Sequence, residues 1–307
     1  MKEITVLAPA TVANVVCGFD CLGFALENPC DEMTVRLTGE REVKIRHADD
    51  FNLPTEPEKN IAGVALLAIL DEIEEDIGFE VEIKKRIKPG SGIGSSSASA
   101  VGAVVAADKL LGERFSKLEL AEFAMKGEQV ASAGRHADNV APCLFGGFTL
   151  VRSVEPLDIV TLDFPQLFVT VIHPQIEIKT SEARKILPTE IPLKSAIQGW
   201  SNVGALVAAL SKGDYALLAR GLEDFIVEPV RKKLIPHFDA LKTASLDAGA
   251  LGGGISGSGP SVFMLSDTPE TARRVENAMR EIYAATEIDF NIYVSPINKT
   301  GVKILDK

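Results

Sequence analysis

Lys88-Pro-Gly-Ser-Gly-Ile-Gly-Ser-Ser-Ser-Ala-Ser99 sets glycines at 90, 92 and 94 directly against a run of serines. Upstream, Phe79 to Ile87 (FEVEIKKRI) alternates apolar and charged residues with the period of a half-buried strand. Downstream, Ala98 to Leu111 is rich in Ala and Val and free of Pro, as a helix would be. The spacing therefore predicts a strand, a glycine turn and a helix in succession. Glycines in such a turn let backbone N–H groups close on an anion, and the unpaired amides and dipole of the first helical turn favour negative charge. Phosphate is the anion that this arrangement suits.

Two common glycine loops do not fit. Gly90, Gly92 and Gly94 miss the spacing of the dinucleotide fingerprint, and no Lys follows the last glycine as in a Walker A loop. A glycine turn with a serine N-cap, serving only to start a helix, is the alternative. One serine suffices for a cap, whereas Ser95, Ser96 and Ser97 supply hydroxyls in excess, able to reach phosphate oxygens or a magnesium ion.

The 307 residues are 46% hydrophobic and 6% aromatic, the composition of a globular chain of one large or two medium domains. A net charge of −11 and the lack of a basic face argue against a nucleic-acid partner. The start, MKEITVLAPA, lacks the apolar run of a signal peptide, and Ile61 to Leu70 is too short to span a bilayer, so no membrane association and a cytoplasmic location are expected. Cys17, Cys21, Cys30 and Cys143 include no C-x-x-C pair and read as reduced core thiols; neither they nor the scattered histidines have zinc-site spacing.

Along the chain, strands are expected at 3–8, 22–27 and 32–38, and a helix from about Glu58 to Asp76. A second helix follows the glycine loop at 116–133, and a strand resumes over 145–152. Pro and acidic residues at 154–158 suggest a boundary, giving domains 1–155 and 156–307. The second half predicts strands at 167–173, 261–265 and 288–294, helices at 180–187, 192–211, 213–225, 235–248 and 268–285, and a hairpin-like GGGISGSGP from Gly252 to Pro260. The pattern is α+β with a mixed sheet.

On the helix 116–133, Leu120, Phe123, Ala124, Gly127 and Ala131 share one face with Glu128. A carboxylate there needs a partner: a magnesium ion beside the phosphate loop, Arg135 or Lys126, or water at the edge of the stripe. Just beyond, Gly134-Arg-His-Ala-Asp-Asn139 packs His136, Asp138 and Asn139 together, as a turn and N-cap or as polar groups for a hydroxyl substrate. Asn14 and Asp20 stand in an otherwise apolar neighbourhood. Arg184 and Arg231 lie in charged segments that solvent usually covers, yet two arginines and one aspartate would match a zwitterionic amino acid.

Four separated pieces carry a family resemblance: APATVANVVCGFDCLGFAL near the start, PGSGIGSSSASA, RHADNVAPCLFGGF, and ISGSGPSVFML near the end. They resemble the GHMP kinases, and with EARKILP, EPVRKKLIP and PINKTGVKI the likeness runs over nearly the whole chain and points to the homoserine branch. The resemblance implies a two-domain fold, an N-terminal mixed-sheet ATP-binding domain and a C-terminal ferredoxin-like α/β sandwich. It implies ATP-dependent phosphorylation of L-homoserine, a step of threonine biosynthesis, by a homodimer using Mg2+. It makes Lys88, Pro89, Gly90, Ser91, Gly92, Ile93, Gly94, Ser95, Ser96, Ser97 and Ala98 the ATP phosphate loop, with Asn60 near the adenine and Ser96 and Glu128 as magnesium ligands. Asn14, Asp20, His136, Asn139, Thr180, Arg184 and Arg231 would surround the amino acid. In that picture Arg184 and Arg231 take the carboxylate, Asp20 the ammonium and Asn139 the hydroxyl, while Asp138 occupies the position where some members are thought to hold a base.

Overall fold

The computed structural model describes residues 3–130, 134–178 and 180–305, the side chain of Thr180 excepted. The chain opens with β1 (Glu3–Val15), β2 (Gly18–Thr38) and β3 (Val43–His47), then a 3₁₀ turn at Pro57–Lys59, α1 (Ile61–Leu70) and β4 (Gly78–Lys84). The glycine stretch leads into α2 (Ser95–Leu111), followed by α3 (Lys117–Glu128), α4 (Val140–Phe145), β5 (Phe148–Val154) and β6 (Leu157–Leu162). Next come β7 (Phe168–Pro174), α5 (Thr180–Lys185), α6 (Leu193–Lys212), α7 (Tyr215–Gly221) and α8 (Glu228–Arg231). The chain finishes with α9 (Phe238–Asp247), β8 (Gly252–Ile255), β9 (Val262–Ser266), α10 (Pro269–Ala284), β10 (Phe290–Pro296) and β11 (Lys303–Leu305).

Two sheets organise these elements. The first runs β11-β1-β2-β4-β3, with β5 joined to β2 and β6 to β5, and is mixed because β3 and β4 are parallel. The second, β10-β7-β9-β8, is antiparallel throughout. Helices α1, α2 and α3 pack on one another and α2 lies on β1 and β2, while α9 and α10 cover the second sheet. Strand β9 shows why its sequence is apolar without alternation: Phe263 and Leu265 enter the large core shared with the first sheet, while Val262 and Met264 enter a second core with Phe238, Leu241 and Met279. No described helix is long and apolar enough to cross a membrane.

The expected strands 22–27 and 32–38 are one strand, β2, whose pairing with β1 jumps from Cys30 opposite Pro9 to Ala25 opposite Thr11. The helix expected over 58–76 is shorter. Asn60 caps α1 by accepting from the amides of Ala62 and Gly63 at 2.9 and 3.2 Å. At the other end the Arg41 guanidinium donates to the carbonyls of Leu70, Ile73 and Glu75, ending the helix before the acids of 71–76 reach its buried face. The expected domain division after residue 155 falls in the turn between β5 and β6, whose strands both belong to the first sheet. By sheet membership the chain divides between Leu162 and Phe168, and β11 returns to pair with β1.

One buried ion pair fixes how the glycine stretch leaves β4. Phe79, Val81 and Ile83 point inward, and the same phase continues to Lys85, whose side chain is 2% exposed. Its ammonium bonds Asp31, the carbonyl of Ser95 at 2.6 Å and the hydroxyl of Ser99 at 2.9 Å. Asp31 also accepts from the amides of Arg86 and Ile87 at 2.7 and 2.9 Å. Removing one partner would leave an uncompensated buried charge, so Asp31→Ala is expected to lower unfolding stability by about 3–5 kcal/mol. Urea denaturation checks this, and a loss below about 1 kcal/mol would contradict the role of the pair.

Candidate active site

Gly90, Gly92 and Gly94 hold φ of 74°, 80° and 69°, the left-handed region that glycine adopts freely. A Cβ at Gly92 would lie 2.6 Å from the carbonyl of Gly259, and one at Gly94 would lie 1.9 Å from Thr11 Oγ1. Gly94 itself stands at the N-cap of α2, and no side chain caps that helix. The serine-cap alternative is therefore not how the helix starts; Ser95 Oγ instead donates to the carbonyl of Ile87 at 2.8 Å. The first-turn amides stay open to an anion.

Successive carbonyls of the loop are engaged from outside it. Ser261 Oγ donates to Ser91 O at 2.6 Å, Ser256 Oγ to Gly92 O at 2.7 Å, and the Thr11 amide to Ile93 O at 3.2 Å. This keeps repelling oxygens off an incoming phosphate, while within the loop the Ser91 amide donates to Lys88 O at 3.2 Å. The buried Ser91 hydroxyl has no hydrogen-bond partner among the described residues. The second glycine tract is thus a brace for the first. Lys88 extends from the loop to Gln175 Oε1 at 2.6 Å, and Gln175 Nε2 meets His173 Nδ1 at 3.1 Å. Burial, with Lys88 nearby, pushes His173 down to about 4, so the ring is neutral at pH 7.

Asn60 has a local task. Its Oδ1 caps α1, and its Nδ2 donates to Pro54 O at 2.7 Å and bonds His47 Nε2 at 3.2 Å, which occupies the whole carboxamide.

Glu128 ends α3 with its carboxyl against the start of α2. Burial pushes this carboxyl up, and hydrogen bonds from the Ser96 and Ser97 hydroxyls pull it back. The alternative partners lie elsewhere: Arg135 pairs with Glu122 at 2.5 Å and Glu155 at 3.4 Å, and Lys126 sits 5.7 Å over the Phe123 ring. No group of three or more His, Cys, Asp or Glu among the described residues could hold a metal by itself. One carboxylate beside hydroxyls and a phosphate cradle is nonetheless a donor set suited to magnesium, which commonly uses one or two carboxylates, substrate phosphates and water.

Opposite the loop, residues from distant segments meet. Arg184 Nη2 binds both oxygens of Asp20 at 2.8 and 2.7 Å. Asn14, at φ 56°, accepts from the Asp20 amide at 2.7 Å and donates to Gly257 O at 2.8 Å. Arg231, 3% exposed, donates to Ala183 O and Gly257 O, each at 3.0 Å. Among the described residues no carboxylate lies within 4.0 Å of its guanidinium. Both arginines face the Phe19 ring, Arg231 at 4.9 Å and Arg184 at 5.5 Å from its centroid.

His136 Nδ1 lies 3.8 Å from Asp20 Oδ1, and burial holds its pKa below the usual range. Asp138 is buried, and that burial, with the Asp20 carboxylate nearby, pushes its own carboxyl up to about 7. Asn139 occupies the N-cap position of α4 without capping it; its Oδ1 accepts from Thr11 Oγ1 at 2.7 Å. Thr180 opens α5, and its side chain lies outside the described residues, as does the expected stripe residue Ala131. Thr11, Phe19 and Gln175 escape the sequence reading, and Ser256 and Ser261 enter it only as part of the second glycine tract. Phe19 had a signal in its position beside Asp20, whereas the partners of the others are set by the tertiary fold.

The GHMP kinases N terminal domain family model matches residues 60–147, and the GHMP kinases C terminal model matches residues 206–285. A homoserine kinase of Chlorobium phaeobacteroides is 47% identical over 99% of this chain and 100% of its own length. A homoserine kinase of Pyrococcus abyssi is 38% identical, covering 96% of this chain and 97% of the relative. The crystal structure of homoserine kinase from Cytophaga hutchinsonii superimposes with a TM-score of 0.95 at 49% identity, covering 99% of this chain and 98% of that one. With both family models in their expected order and full-length relatives above a third identical, the chain belongs to the GHMP kinases, in their homoserine kinase branch.

Proposed function

We propose that this kinase transfers the γ-phosphoryl group of ATP to the hydroxyl of L-homoserine, giving ADP and O-phospho-L-homoserine. One observation carries the substrate assignment: a buried arginine whose hydrogen bonds among the described residues go to carbonyls, Arg231, lies with Arg184 of the Asp20–Arg184 pair against the Phe19 ring. A buried guanidinium calls for an anion, and the Asp20–Arg184 pair is an opposite-charge couple that a zwitterion can exchange into. The α-carboxylate takes Arg231 and Arg184, and the ammonium takes Asp20. A neutral sugar brings no anion to Arg231, and an anionic alcohol such as mevalonate brings no cation to replace Arg184 at Asp20, which disfavours both. Asn14 and His136 brace Asp20 from its two sides.

The triphosphate lies on the open amides of the loop and the first turn of α2. The substrate oxygen attacks the γ-phosphorus, the bond to the bridging oxygen breaks, and ADP leaves as the hydroxyl proton is released. Phosphoryl transfer asks chiefly for in-line placement and charge neutralisation, which fall to Asn139 and to the amides of the loop. Ser96 and Glu128 would hold the magnesium ion, which when bound neutralises phosphate charge. The homodimer is a separate part of this reading, supported by the exposed Leu193, Ile197 and Trp200 of α6.

Assays of ADP release and of phosphorylated product, run with ATP, magnesium and a panel of L-homoserine, L-threonine, L-serine, mevalonate and galactose, test the assignment. Turnover is expected with L-homoserine; turnover with mevalonate or galactose in its place would overturn the zwitterion pocket. Asp138 gives a second expectation. With a folded pKa of about 7 against an ordinary 3.8, the native state holds this proton more tightly than the unfolded chain. Its contribution is therefore fully present below about pH 4 and is lost as pH rises through about 7. Asp138→Asn should accordingly lose less thermal stability than the wild type between about pH 5 and about pH 8, and parallel melting profiles would contradict the burial.

A further inference from the structure

Thr11 lies where the phosphate loop, β1 and the acceptor motif touch. The register shift in β1 between Pro9 and Thr11 lets the Thr11 amide reach Ile93 O at 3.2 Å. Its side chain is completely buried, and its hydroxyl donates to Asn139 Oδ1 at 2.7 Å. The α-carbon of Gly94 packs against the same hydroxyl so closely that a Cβ there would lie 1.9 Å from Thr11 Oγ1 and 3.0 Å from Asn139 Oδ1.

The state of Asn139 makes this contact informative. Asparagine is among the preferred N-cap residues because its oxygen accepts a first-turn amide. Asn139 stands at that position in α4 with helical backbone angles, φ −97° and ψ −39°, and makes no such bond; its oxygen turns instead to Thr11. A carboxamide whose oxygen accepts from a hydroxyl has its orientation fixed, and the remaining Nδ2 group is its donor. No acceptor for Nδ2 is present among the described residues.

We propose that Thr11 is a positioning residue that sets the acceptor hydroxyl in register with the phosphoryl donor, acting through Asn139. Its amide follows the loop carbonyl of Ile93 while its hydroxyl sets the Asn139 amide, so loop and acceptor share one reference point. This inference rests on the reading of the site as that of an alcohol kinase. It adds a residue that touches neither substrate and governs the alignment between them.

Steady-state kinetics of Thr11→Val, Thr11→Ser and Asn139→Ala, and of the Thr11→Val/Asn139→Ala double variant, test it. Thr11→Val should lower kcat by about tenfold to a hundredfold, the range a small misplacement costs. Both KM values should stay within about threefold, because binding is untouched. Thr11→Ser, which keeps the donor, should recover most of kcat, and Thr11→Val should add little in the Asn139→Ala background. Thr11→Ala takes the place of the valine variant if that protein does not fold. Undiminished kcat without the hydroxyl, or losses that multiply in the double variant, would overturn the proposal. If the wild type ignores L-homoserine, the substrate reading fails, and the same cycle is run with the alcohol it does phosphorylate. If no alcohol is turned over, both readings fall.

Discussion

The buried contact between Lys85 and Asp31 is the constraint on which the site depends. An ammonium and a carboxylate removed from water must each find their full set of partners, and here those partners are the backbone on both sides of the glycine stretch. Asp31 holds the amides of Arg86 and Ile87 before the loop, and Lys85 holds the Ser95 carbonyl and Ser99 hydroxyl after it. The loop is therefore anchored at both ends to one ion pair, which leaves its glycines free to be shaped by other contacts.

Those other contacts come from the second half of the chain. Ser256 and Ser261 engage the carbonyls of Gly92 and Ser91, and Gly257 gathers Asn14, Arg231 and the carbonyl of Ala13 around one residue. The two glycine tracts thus join the sheets and build both halves of the site at their junction. The glycine-serine loop lies on one side of this seam and the Asp20, Arg184 and Arg231 cluster on the other. Asn139 and Thr11 stand between them.

What could be read from the sequence was what local chemistry decides. The glycine-serine loop, α2 and the apolar run of β9 follow from residue type and spacing, and the His136-Asp138-Asn139 cluster is visible as a density of polar groups. Arg231 was harder, since Lys232 and Lys233 beside it read as a solvated run. Its burial is set by carbonyls at Ala183 and Gly257, far away in sequence. Lys85 sat in view on the inward phase of β4 but in the middle of a basic triplet. Its partner is 54 residues away. The edge strand β3 alternates over only five residues, VKIRH, the half-exposed β6 carries weak alternation, and Pro156 reads as a boundary where the fold uses a hairpin turn. Asn60 comes into the reading through the family resemblance alone; its capping of α1 and its two further bonds are set by the local fold.

The central claim is that the Asp20–Arg184 pair and the buried Arg231 guanidinium, hydrogen-bonded to carbonyls, together read an amino acid whose hydroxyl is presented to the phosphate loop. A crystal structure of the protein with L-homoserine and a non-hydrolysable ATP analogue tests it most directly. The account predicts that Arg184 leaves Asp20, that the substrate carboxylate bridges Arg184 and Arg231 with its ammonium on Asp20, and that its hydroxyl lies at Asn139 Nδ2 facing the terminal phosphate. An intact Asp20–Arg184 pair with the amino acid bound elsewhere would contradict it.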